Sequence, residues 1–149
     1  MTDNRLYPTR PFLAASVAVF REGRVLLAAR GKPPGEGLFS LPGGQVETGE
    51  TLGEAALREL EEEVGVKAEL IGLLAPVELI EREANGRVKH HVVIAPHVAR
   101  WVSGEPRTGP EAKEIRWITQ SDIADLPLTP GLAGILDLAF QLARRDAGR

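Results

Sequence analysis

Apolar and polar residues alternate along the chain in short runs that predict strands and helices in turn. Residues 12–20 and 24–30 are mostly apolar and are separated by Glu22-Gly23, so they predict a two-stranded hairpin. Asn85-Gly86 is a type I′ turn signal and predicts a second hairpin. The remaining predicted strands cover residues 67–83, as one strand or two, 88–101 and 115–118. Together with two predicted helices, this pattern indicates an α/β fold with a mixed sheet.

The two helices are predicted from local spacing. Thr51-Leu52-Gly53-Glu54 has the form of a capping box, which predicts that the first helix begins near Leu52. The predicted buried face of this helix consists of Leu52, Ala56, Leu57, Leu60 and Val64. A second helix follows Thr129-Pro130. Its apolar stripe consists of Leu132, Ile135, Leu136, Ala139 and Leu142.

An acidic stripe runs along the edge of the first helix's apolar face. Glu59, Glu62 and Glu63 are three and four residues apart, so their carboxylates repel one another. Between residues 47 and 63 only Arg58 is basic, against seven glutamates. A divalent cation such as Mg²⁺, which prefers oxygen ligands, would compensate this negative charge.

The segment from Gly44 to Val66 carries a family resemblance. Its fixed positions are Gly44, Glu50, Arg58, Glu59, Leu60, Glu62, Glu63, Gly65 and Val66. They match all nine fixed positions of the Nudix box, G-x5-E-x7-R-E-U-x-E-E-x-G-U, in which U is aliphatic. Residues 37–44 and 47–50 also resemble the family. The chain is therefore identified, by resemblance, as a member of the Nudix hydrolases.

This resemblance implies a fold and a set of site residues. It implies an α/β/α sandwich and a single hydrolase domain over residues 1–149. The implied ligands of Mg²⁺ or Mn²⁺ are Glu59, Glu62, Glu63 and the carbonyl of Gly43. Arg58 completes the implied catalytic set, although it lies about 100° around the helix from Glu59. We expect Arg58 to hold Glu50 in a salt bridge while water attacks one phosphorus of a diphosphate.

Further candidates lie outside the box. Many family members complete the site with a carboxylate from a later loop, and Glu111 and Glu114 precede the predicted strand at suitable places. We favour Glu114 as this ligand or general base. Arg30 and Arg82 could bind a polyphosphate through charge-assisted hydrogen bonds. With Gly44 they are the predicted substrate-binding residues.

Composition narrows the class of protein. The chain has 149 residues, is 43% hydrophobic and 26% charged, and has no cysteine. This composition suits one globular domain and excludes disulfides and thiolate chemistry. With no signal-peptide pattern and no apolar run near ~20 residues, we expect a cytoplasmic protein without a membrane segment. We expect no nucleic-acid binding. The sequence allows either a monomer or a homodimer.

The resemblance extends to small bacterial members that act on ADP-ribose. It implies a substrate in which a nucleoside diphosphate is linked to another group, with ADP-ribose or a nucleotide sugar favoured over a nucleoside triphosphate. The chain departs from many ADP-ribose hydrolases near Arg82, where they have a proline. A Nudix-fold sensor or regulator that binds a nucleotide without hydrolysing it is the alternative function.

Overall fold

Eight strands form one mixed sheet in the computed structural model, which describes residues 5–33 and 35–148. The strands are β1 (Phe12–Arg21), β2 (Arg24–Arg30), β3 (Phe39–Ser40), β4 (Gly43–Gln45), β5 (Lys67–Leu73), β6 (Val77–Arg82), β7 (Val88–Ser103) and β8 (Ala112–Ile118). Helices α1 (Leu52–Val64) and α2 (Leu132–Ala147) pack on opposite faces of the sheet, and a 3₁₀ helix (Gln120–Asp125) precedes α2. The predicted α/β/α sandwich is confirmed.

The order of the strands places β4 beside α1. β1 pairs in parallel with β7 along most of its length, and β5 and β6 pair with the far side of β7. On its other side β1 pairs with β4 at Ala14–Ser16 and with β2 only at its last two residues. β2 then diverges to pair with β3 and β8. This divergence leaves room for a cleft between β4 and the end of β2.

Both faces of β1 are buried, which explains its mostly apolar sequence. Ala15, Val17 and Val19 pack beneath α1, whereas Ala18 and Phe20 face α2. The buried residues of α1 are Ala55, Ala56, Leu60 and Val64. Of the predicted face, Leu52 and Leu57 are only half-buried, and Ala55 is buried in addition. No α-helix of the described residues is long and apolar enough to cross a membrane.

Both predicted hairpins are present, but the turn type predicted for the second one is wrong. Glu22 and Gly23 have φ values of 51° and 77°, as a type I′ turn requires. The type I′ prediction at Asn85-Gly86 is wrong, because only Gly86 has positive φ there, at 88°. The Gly86 N–H donates to the Glu83 carbonyl (2.8 Å), which makes a three-residue loop closed by a left-handed glycine. The turn type depends on the strand register, which the dipeptide alone does not reveal.

Gly65 ends α1 in the left-handed region, with φ of 74°, and its N–H donates to the Glu61 carbonyl. A Cβ at this position would lie 2.1 Å from Nη1 of Arg107, a flexible side chain. We expect Gly65→Ala to lower the free energy of unfolding by about 1–2 kcal/mol, chiefly because alanine is strained in this conformation. Urea unfolding monitored by circular dichroism measures this loss.

Gly134→Ala is the matched control for Gly65→Ala. Gly134 lies inside α2, and a Cβ there would meet no atom within 4 Å. The same substitution should therefore stabilise the protein by up to about 1 kcal/mol, because alanine favours helix. Equal effects of the two substitutions would contradict the assignment of strain to Gly65.

Candidate active site

The predicted capping box is present at the start of α1. The Thr51 hydroxyl accepts a hydrogen bond from the Glu54 N–H (3.1 Å), and the Glu54 carboxylate accepts one from the Thr51 N–H (2.9 Å). The hydrogen bond from the Thr51 N–H, followed by that of the Thr51 side chain, holds the pKa of the Glu54 carboxyl below its usual value. Glu54 therefore belongs to the helix cap. The cap fixes the start of the helix at Leu52. Glu59 then lies on the edge of α1 that contacts β4 at Gly44.

Two glycines in β4 allow this close approach. A Cβ on Gly44 would lie 2.5–2.7 Å from the carboxylate atoms of Glu59. A Cβ on Gly43 would lie 2.4 Å from the carbonyl oxygen of Ala15 in β1. A side chain at Gly44 would push the Glu59 carboxylate aside, whereas one at Gly43 would clash with the backbone of β1. At Gly44, the glycine of the box, the missing side chain leaves the space that the Glu59 carboxylate occupies.

The register of β4 directs the backbone of Gly43 away from β1. Val17 N–H donates to the Pro42 carbonyl and Val46 N–H to the Leu13 carbonyl (both 3.0 Å). In an antiparallel pair this pattern alternates, so the N–H and C=O of Gly43 both point outward. The Gly43 N–H lies 3.4 Å from Oε1 of Glu63. Its carbonyl is therefore directed to the side on which α1 presents its glutamates.

Arg58 connects the acidic residues of this region. Its guanidinium binds Glu50 with two N–H groups, at 2.7 and 2.9 Å, which is the expected salt bridge. It also donates to Glu59 (2.9 Å), to Glu62 (3.2 Å) and to the backbone carbonyl of Gln45 (3.0 Å). All five N–H groups of the guanidinium have partners. Arg58 therefore ties α1 to β4 and to the loop that precedes the helix.

The carboxyl groups fall into two electrostatic classes. Hydrogen bonds from Arg58, followed by one from the Glu47 N–H, lower the pKa of Glu50 to about 2. Burial raises the pKa of Glu63 to about 7, and this effect outweighs the hydrogen bond from Gly43. The charges of nearby glutamates, Glu59 among them, add to the rise. Glu50 is thus an ionised structural partner, whereas Glu63 is a carboxyl group whose charge is poorly compensated.

A cleft of about 440 Å³ opens where β2, β4 and α1 meet. Its acidic residues are Glu59, Glu63 and Glu111, and its basic residues are Arg5, Arg30 and Lys32. The Glu111 carbonyl accepts a hydrogen bond from the Gly31 N–H (3.1 Å), which holds this loop against the end of β2. Gly43 and Gly44 also line the cleft. Carboxylates, cationic side chains and backbone groups therefore lie together in the same cleft.

A second cleft lies between α2 and the sheet and has a different character. Its volume is about 420 Å³, and its lining is mainly apolar, with Phe20, Ile71 and Phe140. Two of its charged residues, Arg100 and Asp146, are paired with each other at 2.6 Å. The cleft beside α1 is therefore the candidate active site.

Four predicted site residues do not line this cleft: Arg82, Glu114, Glu62 and Arg58. Arg82 lies at the end of β6, where its guanidinium donates to the Gly86 carbonyl (3.1 Å). Glu114, which the sequence analysis preferred to Glu111, does not line the cleft, and its carboxylate pairs with Arg116. Side chains alternate along β8, so Glu114 shares the α2 face of the sheet with Ile118.

Glu62 is another predicted site residue outside the cleft. Its side chain is 61% exposed and contacts Arg58. Within residues 5–33 and 35–148 no three His, Cys, Asp or Glu side chains already converge as a metal site. Glu59 and Glu63 therefore share the cleft, but the predicted set of three glutamates is not assembled in the structure. Arg5 lines the cleft without having been predicted, because no local pattern links residue 5 to the box.

Comparison with known proteins agrees with this architecture. The model of the NUDIX domain family matches residues 10–139. An ADP-ribose pyrophosphatase from Methanocaldococcus jannaschii is 34% identical over 123 residues, which cover 83% of this chain and 68% of that protein. A putative 8-oxo-dGTP diphosphatase 3 from Mycobacterium tuberculosis is 36% identical over 119 residues, which cover 78% of this chain but only 51% of that relative.

A solved structure gives the same result for the fold. The crystal structure of a MutT NUDIX hydrolase from Burkholderia pseudomallei superposes with a TM-score of 0.73 at 33% identity, over 89% of this chain and 98% of that one. The family match, the relatives and the shared fold together define the class of this protein. The chain belongs to the Nudix family and is a Nudix pyrophosphohydrolase. Nudix proteins act on small nucleotide substrates and generally use divalent metals such as Mg²⁺.

The raised pKa of Glu63 predicts a pH dependence of stability in EDTA. The folded protein holds this proton up to a pH of about 7, whereas an unfolded glutamate releases it near 4.5. Ionising the carboxyl in the fold therefore costs stability, and its contribution should fall as the pH rises from 4.5 to 7. Glu63→Gln cannot ionise, so wild type should lose stability relative to this variant over that range.

Urea unfolding at several pH values measures this difference. Glu61→Gln, which removes a charge at an exposed position of the same helix, is the control. Parallel pH profiles for wild type and Glu63→Gln would mean that the Glu63 carboxyl is solvated in solution.

Proposed function

We propose that this chain hydrolyses the diphosphate bond of a nucleoside diphosphate linked to another group, with ADP-ribose as the favoured substrate, and that it uses Mg²⁺ or Mn²⁺. The observation that carries the proposal is the cleft in which Glu59, Glu63 and Glu111 occur together with Arg30 and Lys32. A diphosphate is anionic and would be repelled by three carboxylates alone. Cationic side chains and a divalent ion together would let it bind there.

The chemistry of the donors supports a hard cation. Glu59 and Glu63 line the cleft, and the Gly43 carbonyl points outward beside them, so all the donors are oxygens. Glu111 adds a carboxylate from the loop before β8. Glu62 would have to release Arg58 to join them. When bound, the ion would neutralise phosphate oxygens and lower the pKa of the attacking water.

The protein's own residues would bind the substrate and move a proton. Arg30 and Lys32 would bind phosphate oxygens through charge-assisted hydrogen bonds. A Glu111 carboxylate oxygen would accept a proton from the attacking water, the role that the sequence pattern suggested for Glu114. The water oxygen forms a bond to one phosphorus while the bond from that phosphorus to the bridging oxygen breaks. Arg58 does not line the cleft and would act by holding Glu59 in place.

The name of the archaeal relative favours ADP-ribose as the substrate, because the chain spans 68% of that protein at 34% identity. The mycobacterial relative is named a putative 8-oxo-dGTP diphosphatase, which makes a modified nucleoside triphosphate the second candidate. The chain spans only about half of that relative, at 51% of its length. We therefore place ADP-ribose first.

Substrate choice can be tested directly with the purified protein and Mg²⁺ or Mn²⁺. We expect release of AMP from ADP-ribose with a kcat/KM at least about tenfold above that for 8-oxo-dGTP, because the two classes need different contacts beyond the diphosphate. Nucleotide sugars complete the panel. The opposite order would favour the second candidate. Binding of ADP-ribose without turnover of any compound would instead favour the nucleotide sensor.

Two matched substitutions test the residue assigned as general base. Glu111→Gln should lower kcat by at least about 10²-fold, in the range of general-base contributions, with the fold intact by circular dichroism. Glu114→Gln makes the same change three residues away, where the carboxylate pairs with Arg116 outside the cleft, and should stay within a few-fold of wild type. Loss of activity in Glu114→Gln alone would reverse the assignment. No loss in either would confine proton transfer to the glutamates of α1.

A further inference from the structure

β6 forms an open edge of the sheet. Its inner side pairs with β7, and its outer side pairs with no strand of the described residues. Leu79 and Ile80, in the middle of this short strand, are 44% and 47% exposed. An open edge that carries exposed apolar side chains can pair with a strand of another molecule.

The hairpin determines which backbone groups of β6 face outward. Glu83 N–H donates to the Arg87 carbonyl (2.8 Å), so Glu83 directs its backbone groups inward to β7. Successive residues of a strand direct these groups to opposite sides, and the register shift at Glu81/Arg82 leaves this alternation intact because its extra residue, Lys89, belongs to β7. Glu78, Ile80 and Arg82 therefore present outward N–H and C=O groups. Their side chains also lie on one face of the sheet, because they are two residues apart.

We propose that β6 pairs with β6 of a second copy of this chain, antiparallel and around a two-fold axis at Ile80. In this register Ile80 lies opposite the partner's Ile80. Glu78 lies opposite the partner's Arg82, and the symmetry repeats this ion pair once more. Glu78 has no ion-pair partner among the described residues, so the pairing would supply one. Such a self-complementary patch is what a two-fold interface requires.

Neighbouring registers fit less well. An axis at Leu79 would place Ile80 opposite Glu78, and Arg82 opposite Pro76, which has no N–H to donate. An axis at Glu81 would place two Glu81 carboxylates directly opposite each other, where like charges destabilise a sheet. If the pairing were shifted by one residue, a residue whose backbone N–H and C=O point outward would lie opposite a partner residue whose groups point inward, and they could not bond. The charge pattern and the directions of the backbone groups therefore both favour a two-fold axis at Ile80.

The pairing also accounts for Arg82, which the structure places outside the cleft. Its guanidinium donates to the Gly86 carbonyl and retains further N–H groups for a carboxylate. At the dimer interface this arginine would contribute to association. It would have no contact with the substrate in its own chain's cleft.

Sedimentation velocity of the full chain over a range of concentrations tests this dimer. Wild type should dimerise with a Kd below about 100 µM. Ile80→Lys places two like charges at the axis and should give a monomer. Glu78→Arg and Arg82→Glu should each raise Kd about tenfold or more, because each creates two like-charge pairs. The double variant Glu78→Arg/Arg82→Glu should return Kd close to the wild-type value.

Leu138→Lys is the matched control, since Leu138 is 49% exposed on α2 and lies away from β6. It should leave the dimer unchanged. Circular dichroism establishes that each variant is folded. A monomeric wild type, or a dimer that persists in Ile80→Lys, would overturn the proposal. A folded double variant that stays as weak as the single reversals would overturn the Glu78 to Arg82 pairing.

Discussion

The guanidinium of Arg58 is the contact on which the candidate site depends. Its five hydrogen bonds join α1, the loop at Glu50 and β4 at Gln45, three segments that would otherwise be held apart by seven glutamates between residues 47 and 63. A lysine could not replace it. The planar guanidinium of arginine donates to acceptors on three of its sides, and a single ammonium group cannot reach all of them. Since Arg58 orients Glu59, the position of that carboxylate above Gly44 follows from this network.

Arg58 compensates the negative charge of some neighbouring carboxylates but not of others. The carboxylates that it leaves uncompensated indicate where a cation would bind. Glu50 receives two of the hydrogen bonds and Glu59 one, whereas Glu63 receives none from Arg58 and is partly buried. Negative charge is therefore least compensated at the end of α1 that faces Gly43 and the loop of Glu111. A divalent ion bound there would stabilise the fold and the anionic substrate through the same oxygen atoms.

Tertiary contacts explain why some predicted site residues lie outside the cleft and why one residue in it was not predicted. Whether Glu111 or Glu114 reaches the cleft depends on the register of β8 against β2, which puts Glu114 on the face of α2. Arg82 resembles any other arginine near a turn until β6 is seen to lie at an edge of the sheet. Arg5 enters the cleft from the N-terminal segment, a contact between residues far apart in the chain. None of these outcomes leaves a signal in local spacing.

The sequence by itself determined α1, its capping box, the acidic stripe and the salt bridge between Arg58 and Glu50. These features depend on residues within one helix and the loop before it, where 3.6 residues per turn relate position to direction. Only the tertiary structure decided which carboxylates share a cleft, that Gly43 points outward from β1, and that the Asn85-Gly86 loop is not a type I′ turn. Strand register between distant segments controls all three, because a shift of one residue moves every side chain to the opposite face.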